Sequence, residues 1–263
     1  KWLIMKHNQI YLADIFDFLE KLESASVDLV IADPPYNMHK AEWDTFKTEQ
    51  DYLDFTFNWL DMLIPKCKPT ASIYLFNNTY NSALILNHLR HTDLLFRNWI
   101  TWYKRDGFSA TKRRYVNAQE TILFYTLSDN YVFNADIIRT PYESTERMVY
   151  AAQKGILKNG KRWFPNENGK LCNDVWEITS QRHKDKVNGR IQKPEHPTIK
   201  PDEMIERMIL ASSNENDVVL DLFSGSGTTS RIAQKLKRQF IGCENNEKYI
   251  HLIEKGGLCY DRL

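Results

Sequence analysis

Short apolar runs alternate with amphipathic stretches along most of the chain, and this rhythm predicts the order of its elements. Ile10 to Ala13 and Val27 to Ala32 read as strands, the second rich in β-branched residues. Asp14 stands where a helix cap is needed, ahead of Ile15 to Leu22, whose apolar residues recur at helical spacing. Asp51 to Leu63 reads as an amphipathic helix ended by Pro65, and Ser72 to Phe76 as a strand. Tyr80 to His91 follows as a helix, then Phe96 to Tyr103 and Glu120 to Leu127 as strands. Later come a helix over Asp202 to Ser212, a strand over Val218 to Leu222, a helix over Thr229 to Leu236 and a strand over Phe240 to Glu244. Strands alternating with helices, and apolar enough to be covered on both faces, imply a doubly wound α/β fold with a mostly parallel sheet.

The pattern changes between Asp129 and about Glu195, where helical periodicity weakens. Asn159-Gly160, Asn168-Gly169 and Asn188-Gly189 mark tight turns there. The expected division is therefore a first half over 1–128, an inserted region over 129–195 and a second half over 196–263. Charge sharpens this picture. Residues 101 to 200 hold 18 Lys and Arg against 11 Asp and Glu, and the remainder holds 17 against 23, so a net charge of +1 conceals a basic middle suited to a polyanion. Its candidate phosphate contacts are Lys104, Arg105, Lys112, Arg113 and Arg114 in one loop, and Lys161, Arg162, Arg182 and Lys184 among the aromatics Trp163, Phe164 and Trp176. Solvated loops and local aromatic core are the competing readings of these residues.

Composition adds bounds. A chain of 263 residues with 42% hydrophobic content suits one sizeable domain carrying an insert. No apolar run approaches the length of a membrane span and no signal peptide opens the chain, so a cytoplasmic protein is expected, with Met5 a candidate start. Cys67, Cys172, Cys243 and Cys259 lie far apart without paired histidines, and neither a metal site nor a disulfide framework is expected.

Two stretches carry candidate chemistry. The first is Asp33-Pro34-Pro35-Tyr36, where a buried strand ends in an acid, two prolines stiffen the turn and an aromatic ring follows. Strand C-termini are where open α/β sheets hold ligands, which puts Asp33 in a cleft. The polar, irregular stretch from Asn37 to Asp44 is then expected to act as a mobile lid. The second is Phe223-Ser224-Gly225-Ser226-Gly227-Thr228-Thr229, a glycine turn feeding a helix whose free N–H groups favour an anion. Glu244 ends the next strand 19 positions after Gly225, the spacing at which a carboxylate reaches ribose hydroxyls. Asp14, expected beside the Asp33 strand, has a second role open to it as acceptor for an adenine amino group.

The first stretch resembles the catalytic motif of amino-group methyltransferases, and the second resembles their S-adenosylmethionine half. The catalytic strand precedes the cofactor strand with an insert between, an order similar to the β class of DNA adenine-N6 methyltransferases. Gly155 to Pro165, Ser180 to Lys184 and Ala211 to Asn214 resemble the MboII-type branch of modification methyltransferases. That resemblance implies S-adenosylmethionine as cofactor, double-stranded DNA as partner and methylation of one adenine, flipped from the duplex, in a short asymmetric site such as GAAGA. It implies a restriction-modification setting, with a second copy of the chain as a candidate partner and 129–195 as the target-recognition region. Asp33, Pro34, Pro35 and Tyr36 become the catalytic set, with Tyr36 stacking on the base. Asp14, Asp33, His196, Thr198, Lys200, Phe223, Gly225, Gly227, Thr228, Thr229 and Glu244 become the cofactor set. Gly256-Gly257 and the tail from Leu258 to Leu263 depart from the pattern. Transfer to cytosine N4 uses the same geometry, usually with Ser in the place of Asp33. A methyltransferase acting on RNA or a protein amide, and a non-catalytic DNA-binding module, are the remaining alternatives.

Overall fold

A computed structural model of the chain describes residues 5–105, 112–180, 186–187, 190–191 and 199–263. The first half runs β1 (Gln9–Leu12), α1 (Ile15–Lys21), β2 (Val27–Ala32), α2 (Glu49–Leu63), β3 (Cys67–Asn77), α3 (Thr79–Leu89), β4 (Leu95–Tyr103) and β5 (Gln119–Thr126). The middle holds α4 (Thr145–Lys154), β6 (Ile156–Lys158), β7 (Lys161–Trp163), β8 (Val175–Glu177) and the two-residue pair β9 (Lys186–Val187) and β10 (Arg190–Ile191). The last part runs α5 (Asp202–Ser212), β11 (Val218–Asp221), α6 (Thr228–Lys235), β12 (Gln239–Glu244), α7 (Ile250–Lys255) and β13 (Tyr260–Arg262).

Nine of these strands form one sheet in the order β13-β1-β12-β11-β2-β3-β5-β4-β8. Every pairing is parallel except those of β5, which runs against both β3 and β4. Successive side chains leave a strand on opposite faces, and the core divides accordingly. Val30 and Ala32 face α1, α2 and α3, together with Ile73, Leu75, Leu220 and Ile241. Leu29 and Ile31 face α5, α6 and α7, together with Tyr74, Phe76, Val219 and Phe240. Fully burying one such side chain contributes about 1.5–3 kcal/mol, so this two-sided burial is what makes the sheet the centre of the molecule. Asp28 enters the sheet without violating it, because its carboxylate accepts from Lys68 Nζ at 2.7 Å and from the Val218 N–H at 2.9 Å, tying β2 to its neighbours.

Sheet order corrects one expectation. β1 lies between β12 and β13, so Asp14 adjoins the Glu244 strand and not the Asp33 strand. The middle region is also more regular than its periodicity suggests. Asn159 and Gly160, at φ 51° and 74°, turn the β6–β7 hairpin, while α4 forms where no helix was expected. β8 leaves the insert to join the main sheet beside β4 and buries Trp176, and Asn134 bonds the carbonyls of Leu210, Ala211 and Ser213. Asn188-Gly189 lies outside the described residues. The divergent tail packs as well: β13 pairs with β1, and Leu258 lies so close to Gly227 that a Cβ there would meet its side chain at 2.7 Å. Among the described residues no helix is long and apolar enough to cross a membrane, and no cluster of His, Cys, Asp or Glu could hold a metal ion.

Candidate active site

β2 and β11 run side by side, and their C-terminal ends open onto a cavity of roughly 180 Å³. Asp33, Pro34, Pro35 and Tyr36 line one side, and Phe223, Gly225 and Glu244 line the other, with Asp14 beside them. The turn after β2 is held from two directions. The Tyr36 N–H donates to Asp44 Oδ1 at 2.6 Å, and the Tyr36 carbonyl accepts from Asn81 Nδ2 at 2.7 Å. Asp44 Oδ2 also accepts from the N–H groups of Met38 and Lys40, at 3.1 and 3.2 Å. The stretch expected as a mobile lid is therefore folded about one buried carboxylate, with Asn37 and His39 at φ 55° and 54° to let the backbone wrap it. Trp43 Nε1 donates to the Tyr249 hydroxyl at 3.1 Å and bridges this segment to the far wall.

Behind the turn lies a network that the sequence did not announce. Tyr36 donates its hydroxyl to Asp33 Oδ1 at 2.8 Å and lies 3.3 Å from Glu120 Oε2. Lys200 Nζ is 2.5 Å from Asp33 Oδ2 and 3.7 Å from Glu120 Oε2, and Lys104 Nζ donates to Glu120 Oε1 at 2.5 Å. Burial pushes the Asp33 carboxyl up, with Lys200 pulling it part of the way back. Burial acts on Glu120 too, yet Lys200 and Lys104 hold it below its ordinary range. Burial opposes the charge on Lys200, but Asp33 and Glu120 outweigh it and raise the ammonium's pKa. The Tyr36 hydroxyl, pushed well up by burial and the two carboxylates, remains a donor.

The opposite wall differs. Gly225, at φ 49°, donates its N–H to Glu244 Oε2 at 2.6 Å, and the Asn246 N–H reaches Glu244 Oε1 at 2.7 Å. Asp221 ends β11 in a smaller recess of about 40 Å³ shared with Asp33, Lys200, Thr228 and Thr229. Burial raises the Glu244 carboxyl and lifts that of Asp221 to about 7, with only Thr229 and backbone N–H groups working against it.

The expected site residues thus divide. Asp33, Pro34, Pro35, Tyr36, Phe223, Gly225, Glu244 and Lys200 converge on the main cavity, and Thr228 and Thr229 on the recess beside it. Asp14 lines the cavity while accepting from the Phe16 N–H at 2.8 Å as a helix cap. Lys200, expected to serve the cofactor pocket, has its ammonium on Asp33. Gly227 supplies close packing against Leu258. Lys104, expected on phosphate, is turned inward with only 13% of its side chain exposed, where it keeps the largely covered Glu120 carboxylate from standing unpaired. Arg105 pairs with Glu177 at the end of β8. Lys112, Arg113, Arg114 and Lys161 are exposed, and exposed Arg162 donates to the Lys154 carbonyl. His196, Thr198, Arg182 and Lys184 lie outside the described residues. Glu120, Asp221 and Asp44 were missed, although Asp221 immediately precedes the Leu222-Phe223 glycine turn and was within reach of the same motif reasoning.

The comparisons agree with this geometry. The family model for DNA methylases of the N6/N4 type matches residues 27–255. The chain belongs to the DNA methylase family. This methylase is 51% identical over 248 residues to the Type II methyltransferase M1.MboII of Moraxella bovis, covering 94% of this chain and 95% of that one. It is 35% identical over 240 residues to the Type II methyltransferase M.HpaI of Haemophilus parainfluenzae, covering 90% and 70%. Among solved structures, the M1.HpyAVI–SAM complex superposes on the methylase with a TM-score of 0.64 at 25% identity, covering 94% of this chain and 98% of that one. The cytosine-N4-specific PvuII DNA methyltransferase shares the fold with a TM-score of 0.70 at 16% identity, covering 97% and 88%.

Proposed function

We propose that this methylase is a site-specific DNA methyltransferase that uses S-adenosylmethionine to methylate the N6 amine of one adenine in a short asymmetric duplex site resembling GAAGA. It acts in the cytoplasm as the modification partner of a restriction enzyme. The observation that carries the reading is the shared cavity, in which the half-buried, cation-held Asp33 faces the Gly225 turn and Glu244. The 51% identity to a Type II methyltransferase supports the restriction-modification setting.

The residues fit the cofactor. Asp221 and Glu244 are buried carboxylates that no cation among the described residues neutralises, which suits a ligand with cationic centres and ribose hydroxyls. Glu244 and the Gly225 turn would hold its ribose side, and Asp221 with Thr228 and Thr229 its charged end. When bound, it supplies an electrophilic methyl group carried on sulfonium. The chain's own task is the nucleophile. An exocyclic adenine amine has its lone pair delocalised into the ring, and Asp33 with the Pro34 carbonyl accepts its two N–H bonds and draws the nitrogen toward tetrahedral geometry. Pro35 keeps that turn rigid, and Tyr36 offers a face to the base once it has left the duplex. Lys112, Arg113, Arg114 and Lys161 engage phosphates, while the region 129–195 reads the site, in one chain or in a pair of chains.

The test is direct. The protein is incubated with labelled cofactor and mixed-sequence duplex DNA, the product is digested to nucleosides and the methylated positions are mapped. N6-methyladenine at one asymmetric site is the expected product, and N4-methylcytosine as the main product would overturn the base assignment.

A further inference from the structure

Both oxygens of Asp33 already accept hydrogen bonds, Oδ1 from the Tyr36 hydroxyl and Oδ2 from Lys200. An incoming amine that bonds Asp33 meets an ammonium already on that carboxylate, and the cation both weakens the acceptor and repels the amine's own hydrogens. That ammonium cannot simply be released: only 9% of the Lys200 side chain is exposed, and an unpaired buried charge is strongly disfavoured. The same atom, Glu120 Oε2, lies 3.7 Å from Lys200 Nζ and 3.3 Å from the Tyr36 hydroxyl. We infer that Glu120 is a positioning residue that receives Lys200, and the Tyr36 hydroxyl with it, when the target amine reaches Asp33.

The inference rests on the reading of Asp33 as the amine's acceptor, and its geometry is specific. A movement of about 1 Å brings the Lys200 ammonium from its present separation to hydrogen-bond distance of Oε2. Glu120 is fixed to receive it, because Lys104 holds Oε1 and Glu120 is paired in register with Trp102. Lys104 itself is kept inward, 5.0 Å over the Trp102 ring. The charged groups facing this space are Asp33, Glu120, Lys104 and Lys200, with Lys40 5.9 Å over the Tyr36 ring and Asp221 in the recess that Asp33 and Lys200 share. Without the Glu120 charge, Asp33 is the one carboxylate left within ion-pair distance of Lys200 among the described residues, and the ammonium stays there.

Glu120→Gln preserves shape and removes that charge. We expect its cofactor affinity to stay within a few-fold by calorimetry, while kcat falls on the order of 10²-fold. The split between an unchanged cofactor affinity and a lowered kcat is a result that a merely structural role would not produce. Adding Lys200→Met should make the double variant faster than Glu120→Gln alone, whereas independent losses would add. A wild-type kcat in Glu120→Gln, or a loss that simply adds to that of Lys200→Met, overturns the inference. Should Glu120→Gln fail to fold, Lys104→Met loosens the anchor instead: a smaller fall in kcat that added Lys200→Met relieves supports the inference, and a wild-type kcat rejects it. A wild-type enzyme that yields no methylated nucleoside defeats the underlying reading of Asp33, and this inference with it. A normal wild type with an unaffected Glu120→Gln defeats this inference alone.

Discussion

The two walls of the cleft handle buried carboxylates in opposite ways. At the end of β2, Asp33 and its neighbour Glu120 are matched by Lys200 and Lys104, and the Tyr36 hydroxyl completes the set. At the ends of β11 and β12, Asp221 and Glu244 are met by backbone N–H groups and Thr229, and burial raises both. One wall is already matched by cations, so a neutral amine meets a charge on its acceptor. The other is short of positive charge and gains from a cationic ligand. The more exposed pair is the one matched by cations and the more deeply buried pair is not, a difference set by which side chains the topology brings to each strand end.

The most damaging change to this contrast is Asp33→Ala. Methyl transfer should fall by on the order of 10³-fold, with cofactor affinity kept within several-fold, because the residue serves the amine. Full activity in a single-turnover assay would erase the distinction between the walls. Next, Glu244→Ala should weaken cofactor binding by about 1–3 kcal/mol, through the loss of hydrogen bonds to a charged acceptor. Unchanged calorimetric affinity would remove Glu244 from the cofactor wall.

Asp221 sharpens the comparison through pH. Its folded-state value of about 7 lies above the ordinary 3.8, so the stability it contributes is complete below that ordinary value and lost as pH rises through about 7. Asp221→Asn cannot ionise and should melt higher than wild type at pH 8, by roughly 2–4 °C for each kcal/mol relieved, with little difference at pH 4. Asp33 and Glu244 shift in the same direction and Glu120 in the other, which is why the paired melts of wild type and Asn variant are compared. The ligand-free melts should respond in this way while cofactor affinity in the wild type increases with pH up to about 7; an identical pH dependence in both proteins would contradict the assignment. The smallest effect concerns DNA. Charge-removing changes at Lys161, Arg162, Arg182 or Lys184 should shallow the salt dependence of binding by up to about one unit per lost phosphate contact. A slope unmoved by all four would leave the basic middle as solvated surface.

Local chemistry was legible in the chain. The helices and strands that were expected outside the middle region are present with their ends shifted by a few residues, because each buries its own apolar pattern, and Asp14 caps α1 as its position suggested, whereas α7 and β13 were not foreseen. Asp33, Phe223, Gly225 and Glu244 could be placed at strand ends for the same reason: a strand running into Pro-Pro or into a glycine turn carries its ligand-facing residue in the next few positions. The sequence by itself thus determined the elements, the fold class and the two motifs that face each other. Tertiary structure decided what stands between them. Glu120 begins its strand, and only the reversal of β5 carries that beginning to the edge where the other strands end, beside Asp33. The same strand order separates Asp14 from Asp33, and the partly buried Glu120 pairs with Lys104 away from the surface expected for it. Pairings between strands distant in sequence set these relations, and no local periodicity records them.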